Sequence, residues 1–110
     1  MSDPIQRLYE AVLLSRGGEP RDPRTGRLFQ DGRIKIAKKV VEEASEVSLE
    51  CVANDRDAVI MESVDLLYNW TVLLAEMGIT PAEVWHEMQD REESLGIAGK
   101  LPKKVDKAAE

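Results

Sequence analysis

Within residues 56–77 the chain from Val59 to Leu74 is a nearly continuous run of apolar side chains, and two carboxylates, Glu62 and Asp65, interrupt it. No period-two alternation appears there or elsewhere, so the run reads as a helix that is apolar around most of its circumference. Such a helix has to be covered on both sides. That requirement restricts the fold to helices packed on helices, an all-α, four-helix-type bundle. A chain of 110 residues builds one domain around one core. A single bundle of that size struggles to bury this helix on every side. The expected assembly is therefore a homodimer sharing the 56–77 helices, with a dimer of dimers also compatible.

The remaining segments carry their own start and stop signals. Asp3-Pro4 opens a helix, with Asp3 as cap and Pro4 in the first turn. Ile5, Leu8, Tyr9, Val12 and Leu13 form its buried stripe, and Gly17-Gly18 ends it. Residues 18–32, rich in Gly, Pro and charge with Leu28-Phe29 the only apolar pair, read as a long functional loop. A second helix is expected from Arg33 to Ala53. Ala37, Val40, Val41, Ala44, Val47, Ser48 and Cys51 share one of its faces, and Lys39, Glu43, Glu46 and Glu50 line the opposite one. Asn54-Asp55 breaks it, and Gly78 caps the following helix. Thr80-Pro81-x-Glu83 is a capping box that starts a last helix, whose stripe of Val84, Trp85, Met88 and Leu95 runs to near Gly96. Residues 1–99 thus form one domain, and 100–110 a charged tail.

Composition excludes several classes. A formal net charge of −6 disfavours nucleic acid and anionic membranes as partners. The single cysteine, Cys51, cannot form an internal disulfide; it is expected in the core, in a protein of the reducing cytoplasm. Ser2-Asp3-Pro4 has none of the basic-then-apolar character of a signal peptide. Glu62, Asp65 and Glu76 interrupt the longest apolar stretch, against a membrane span.

The acidic pattern carries the chemistry. On the second helix alone, Glu42, Glu43, Glu46 and Glu50 fit either a solvated face or a metal site. Their i,i+3 and i,i+4 like-charge pairs each destabilise the helix by about 0.2–0.5 kcal/mol. Glu62 and Asp65 shift the balance, because buried carboxylates need a cation and Arg91 is the only basic residue between Asp57 and Lys100. With the two helices side by side, Glu43, Glu46, Glu62 and Asp65 could converge on one Mg²⁺, a hard cation that prefers oxygen ligands and retains waters. Such a centre supports attack of water on a phosphate ester or anhydride. Arg27, Arg33, Lys35, Lys38 and Lys39 gather in the loop and at the start of the second helix, where together they could face phosphates. There is no glycine-rich phosphate loop and no Ser/His/Asp or Cys/His set, and His86, the only histidine, beside Trp85 on the last helix, is assigned no catalytic role.

Two stretches, Lys39-Val40-Val41-Glu42-Glu43-Ala44-Ser45-Glu46 and Glu62-Ser63-Val64-Asp65-Leu66-Leu67-Tyr68-Asn69, resemble the phosphoribosyl-ATP pyrophosphatase family of histidine biosynthesis, within the all-α, MazG-like nucleotide pyrophosphatase superfamily. The similarity extends from Leu8 through Pro23-Arg24-Thr25 and Gly32 to Gly96-Ile97-Ala98. It implies Mg²⁺-dependent hydrolysis of phosphoribosyl-ATP to phosphoribosyl-AMP and pyrophosphate by a helical homodimer. It also implies Glu43, Glu46, Glu62 and Asp65 as metal ligands, Glu42 as a supporting carboxylate and Lys39 as a phosphate contact. The chain departs from the family pattern at Val41, where Gly is common, and at Asn69, where His is common. Thr25-Gly26-Arg27 replaces a Ser-Tyr-containing stretch. Asn69 can bond to substrate but cannot titrate near neutral pH. Two alternatives stand beside this reading: a related pyrophosphatase acting on other nucleoside triphosphates, and a catalytically silent helical dimerisation module.

Overall fold

The computed structural model describes residues 3–16, 22–94 and 96, and the charged tail from 100 to 110 lies outside them, as do Gly17-Gly18 and Leu95. Five helices follow in order: α1 (Pro4–Arg16), α2 (Pro23–Asp31), α3 (Arg33–Val52), α4 (Arg56–Met77) and α5 (Pro81–Ser94). No strand occurs among the described residues. The all-α expectation is met, with one helix more than expected.

The extra helix corrects the reading of residues 18–32 as a loop. Asp22 caps α2 by accepting the Arg24 backbone N–H at 3.0 Å, and Pro23 occupies the first turn, the same Asp-Pro signal that opens α1. Gly32, at φ 100°, then lets α3 begin immediately after α2 ends. The other caps form where the sequence places them. Asp3 accepts the Gln6 N–H, Asp55 accepts the Ala58 N–H, and Thr80 and Glu83 bond reciprocally. Gly78, left-handed at φ 70°, closes α4 through N–H bonds to the Leu74 and Ala75 carbonyls.

The most extensive helix pairing is α3 on α4, and α1 packs on α4 from another side. Tyr9 and Val12 of α1, Ile36 of α3 and Val72, Leu74 and Ala75 of α4 make the core. The Trp70 and Trp85 rings, 5.9 Å apart, seat α5. At the far end of α4, Glu76 gathers the other helices. Arg33 bonds it at 3.1 Å, and Arg16 pairs with it, donates to the Ala75 carbonyl and stacks over Phe29 of α2. The core therefore lies in the Val72–Glu76 half of α4, leaving the half with Glu62 and Asp65 to pack chiefly on α3.

Cys51 is exposed, contrary to expectation. The α3 face that carries it is uncovered in the single chain, where Val41 is 66% and Leu49 67% exposed. On α4, Ile60, Met61, Val64 and Leu67 are exposed too. By length and apolar content α4 could cross a membrane, but its carboxylates and its packing on α1 and α3 make it the central helix of the bundle.

Ile36 is the one buried side chain of α3 among the described residues. Ile36→Ala should cost about 2–5 kcal/mol, read as a lower urea midpoint with unchanged slope.

Candidate metal centre

Residues one turn apart on a helix point the same way, so Glu43 and Glu46 of α3 both face α4, and Glu62 and Asp65 of α4 both face α3. Glu43, Glu62 and Asp65 each bring a carboxylate oxygen within 4.8 Å of the other two. Glu46 lies outside this triplet but hydrogen-bonds the Glu62 carboxyl. Of the four residues expected to converge, Glu43, Glu62 and Asp65 are brought together, and Glu46 meets them only through Glu62.

Their protonation reflects the crowding. Glu62 is lifted from 4.5 to about 7, first by its hydrogen bond with Glu46, then by burial and by the negative charges of Glu46, Asp65 and Glu43. Burial, followed by repulsion from Glu46 and Asp65, also raises Glu43, against a smaller opposing pull from Lys39. A carboxylate pair shares a hydrogen bond only if a proton lies between its members. As ionised groups, Glu43 Oε2 and Glu62 Oε2 are buried and have no donor to satisfy them. Either a proton or a cation must supply the missing positive charge. A cluster of hard oxygen donors from two rigid helices fits a divalent cation such as Mg²⁺.

The surrounding cations divide into two groups. Lys39 sits beside the cluster, 3.5 Å from Glu42 and close enough to act on Glu43. Lys35 and Arg27 are exposed. Arg33, expected at a phosphate, is instead held by Glu76. Asn69 is buried and donates to the Asp65 carbonyl at 2.9 Å, so its amide nitrogen is bound within its own helix. His86 lies on the surface beside Asp90. The sequence reading passed over Thr25 and Tyr68, whose hydroxyls hydrogen-bond across α2 and α4. The signal available was a tyrosine in an apolar run, since a covered phenol needs a partner.

Glu62 binds its proton more tightly in the folded chain than in the unfolded one. The stability this contributes is complete below pH 4.5 and is lost as pH rises through about 7. The melting temperature of metal-free protein should therefore fall between pH 5 and pH 8, by scanning calorimetry. Added Mg²⁺ should reverse the trend while releasing a proton, seen as a buffer-dependent binding enthalpy.

The chain resembles proteins of known name over nearly its whole length. The family model described as phosphoribosyl-ATP pyrophosphohydrolase matches residues 6–92. A phosphoribosyl-ATP pyrophosphatase 2 of Bradyrhizobium diazoefficiens is 56% identical over 97% of this chain and 80% of its own. Its namesake in Rhodopseudomonas palustris is 56% identical over 94% of this chain and 79% of its own. The histidine biosynthesis bifunctional protein HisIE of Wolinella succinogenes is 38% identical over 91% of this chain, which matches 44% of that longer protein.

Proposed function

Since the chain belongs to the phosphoribosyl-ATP pyrophosphohydrolase family, we propose that it hydrolyses phosphoribosyl-ATP to phosphoribosyl-AMP and pyrophosphate, a step of histidine biosynthesis, in the cytoplasm. Residues 1–99 are the catalytic domain in this reading. The observation that carries it is the convergence of Glu43, Glu62 and Asp65 on one point, with Glu46 bonded to Glu62.

These four carboxylates would hold Mg²⁺. When bound, the cation neutralises charge developing on the phosphate oxygens. The chain's own groups do the rest. Glu42 holds Lys39 beside the cluster, where its ammonium can meet a phosphate oxygen. Lys35 and Arg27 extend the cationic edge, and Arg33 could join only by leaving Glu76. A carboxylate of the cluster orients the attacking water and takes its proton. The water oxygen bonds to the α-phosphorus, the bond to the bridging oxygen breaks, and pyrophosphate departs. Asn69, bonded to the Asp65 carbonyl, acts by bracing the ligand turn.

The exposed apolar side chains of α3 and α4 support a homodimer. Val40, Val41, Ala44 and Leu49 line a shallow groove on this face. A second copy is its natural occupant, because α4 is apolar on the side a single bundle leaves bare. Val64→Glu should shift sedimentation from dimer to monomer; a wild type that sediments as a monomer contradicts this assembly, and one at four chain masses indicates a dimer of dimers.

Pyrophosphate release from phosphoribosyl-ATP should require Mg²⁺ and exceed release from ATP, GTP or dUTP; faster turnover of an ordinary triphosphate would overturn the substrate assignment. Glu62→Gln should lower kcat at least about a thousandfold while the metal-free protein melts no lower than wild type, because one repelling charge is gone.

A further inference from the structure

Thr25 is 2% exposed, lies in the first turn of α2 and touches two groups. Its Oγ1 is 3.2 Å from Asp22 Oδ2, and it hydrogen-bonds the Tyr68 hydroxyl across to α4. The donors can be assigned. Asp22 accepts the Arg24 N–H, an interaction that holds its carboxyl below the usual range, so it is ionised near neutral pH and can only accept. Thr25 has one hydroxyl proton and gives it to Asp22. Tyr68 O–H therefore donates to Thr25. A directional chain runs from Tyr68 on α4 through Thr25 to the cap of α2.

Its position matters because of what each end carries. Tyr68 lies one turn beyond Asp65, on the helix that supplies two of the cluster's carboxylates. On α2, Arg24 and Arg27 stand exposed one turn apart. The main body of α2 packs on α1 and α3, and Phe29 meets Arg16 near its other end. The hydroxyl pair is the bond that fixes its N-terminal turn to the ligand-bearing helix.

We propose that Tyr68 and Thr25 are positioning residues: their buried hydroxyl bond holds the N-terminal end of α2, which carries the exposed cations Arg24 and Arg27, against the helix that supplies Glu62 and Asp65, so that those cations can meet a further phosphate group of a polyphosphate nucleotide. The inference rests on the proposed activity. The carboxylates belong to the α3–α4 pair, whose mutual packing is the most extensive in the fold, so loosening the N-terminal end of α2 weakens substrate capture while the hydrolytic centre is preserved.

Steady-state kinetics with phosphoribosyl-ATP on Tyr68→Phe, Thr25→Val, their double variant and Thr25→Ser, alongside calorimetric Mg²⁺ titration, tests this. Tyr68→Phe should raise KM roughly three- to tenfold, the span one lost hydrogen bond gives, and Thr25→Val, which also loses the bond to Asp22, at least as much, with kcat within about twofold and Mg²⁺ affinity unchanged in both. The double variant should be no worse than the poorer single one, because both remove the same bond, and Thr25→Ser should restore wild-type KM. A KM unmoved by both single variants, additive losses in the double, or a fall confined to kcat or Mg²⁺ affinity would overturn the latch while the pyrophosphatase reading stands. Absence of Mg²⁺-dependent turnover in the wild type would instead sink the activity, and the latch with it. Should Tyr68→Phe not fold, the contrast between Thr25→Val and Thr25→Ser decides alone.

Discussion

Negative charges forced together between two packed helices govern this molecule. Glu43 and Glu62 each have an oxygen cut off from solvent without a donor, and Asp65 stands within reach of both. Left ionised and unpartnered, such a group costs far more than a surface carboxylate. Glu46 and burial push the Glu62 carboxyl up to about 7, and its protonation relieves part of that cost in the metal-free chain. A divalent cation removes more of it and uses the same lone pairs. Folding thus leaves one end of the α3–α4 pair under electrostatic tension that a bound cation would release.

The rest of the fold tolerates that tension by keeping it away from the hydrophobic core. Val72, Leu74 and Ala75 pack at the opposite end of α4 from the carboxylates, where Glu76 has two arginines for partners. The same helix therefore holds a compensated acid at one end and an uncompensated cluster at the other. That contrast separates structural from functional charge more sharply than acidic content does.

Much of this was legible in the residues. The bounds of α3 and α4 followed from Gly32, Asn54-Asp55 and Gly78, because each break has a backbone cause. The grouping of Glu43, Glu62 and Asp65 followed from one-turn spacing on two helices that had to be neighbours. The helix α2 was missed because Gly26 and the surrounding charges masked an Asp-Pro start already recognised at Asp3-Pro4. Cys51 was misplaced because an apolar stripe indicates a face that wants covering, without saying that the same chain covers it. Arg33 and Asn69 found partners in Glu76 and the Asp65 carbonyl, three-dimensional matches that no spacing rule announces.

The most direct measurement is anomalous diffraction from a crystal soaked in Mn²⁺, which takes oxygen ligands as Mg²⁺ does and can be located by its scattering. The account predicts one strong peak between α3 and α4, bonded at about 2.0–2.3 Å to oxygens of Glu43, Glu62 and Asp65. A fully loaded crystal with no peak there, and those carboxylates still sharing protons, would contradict it.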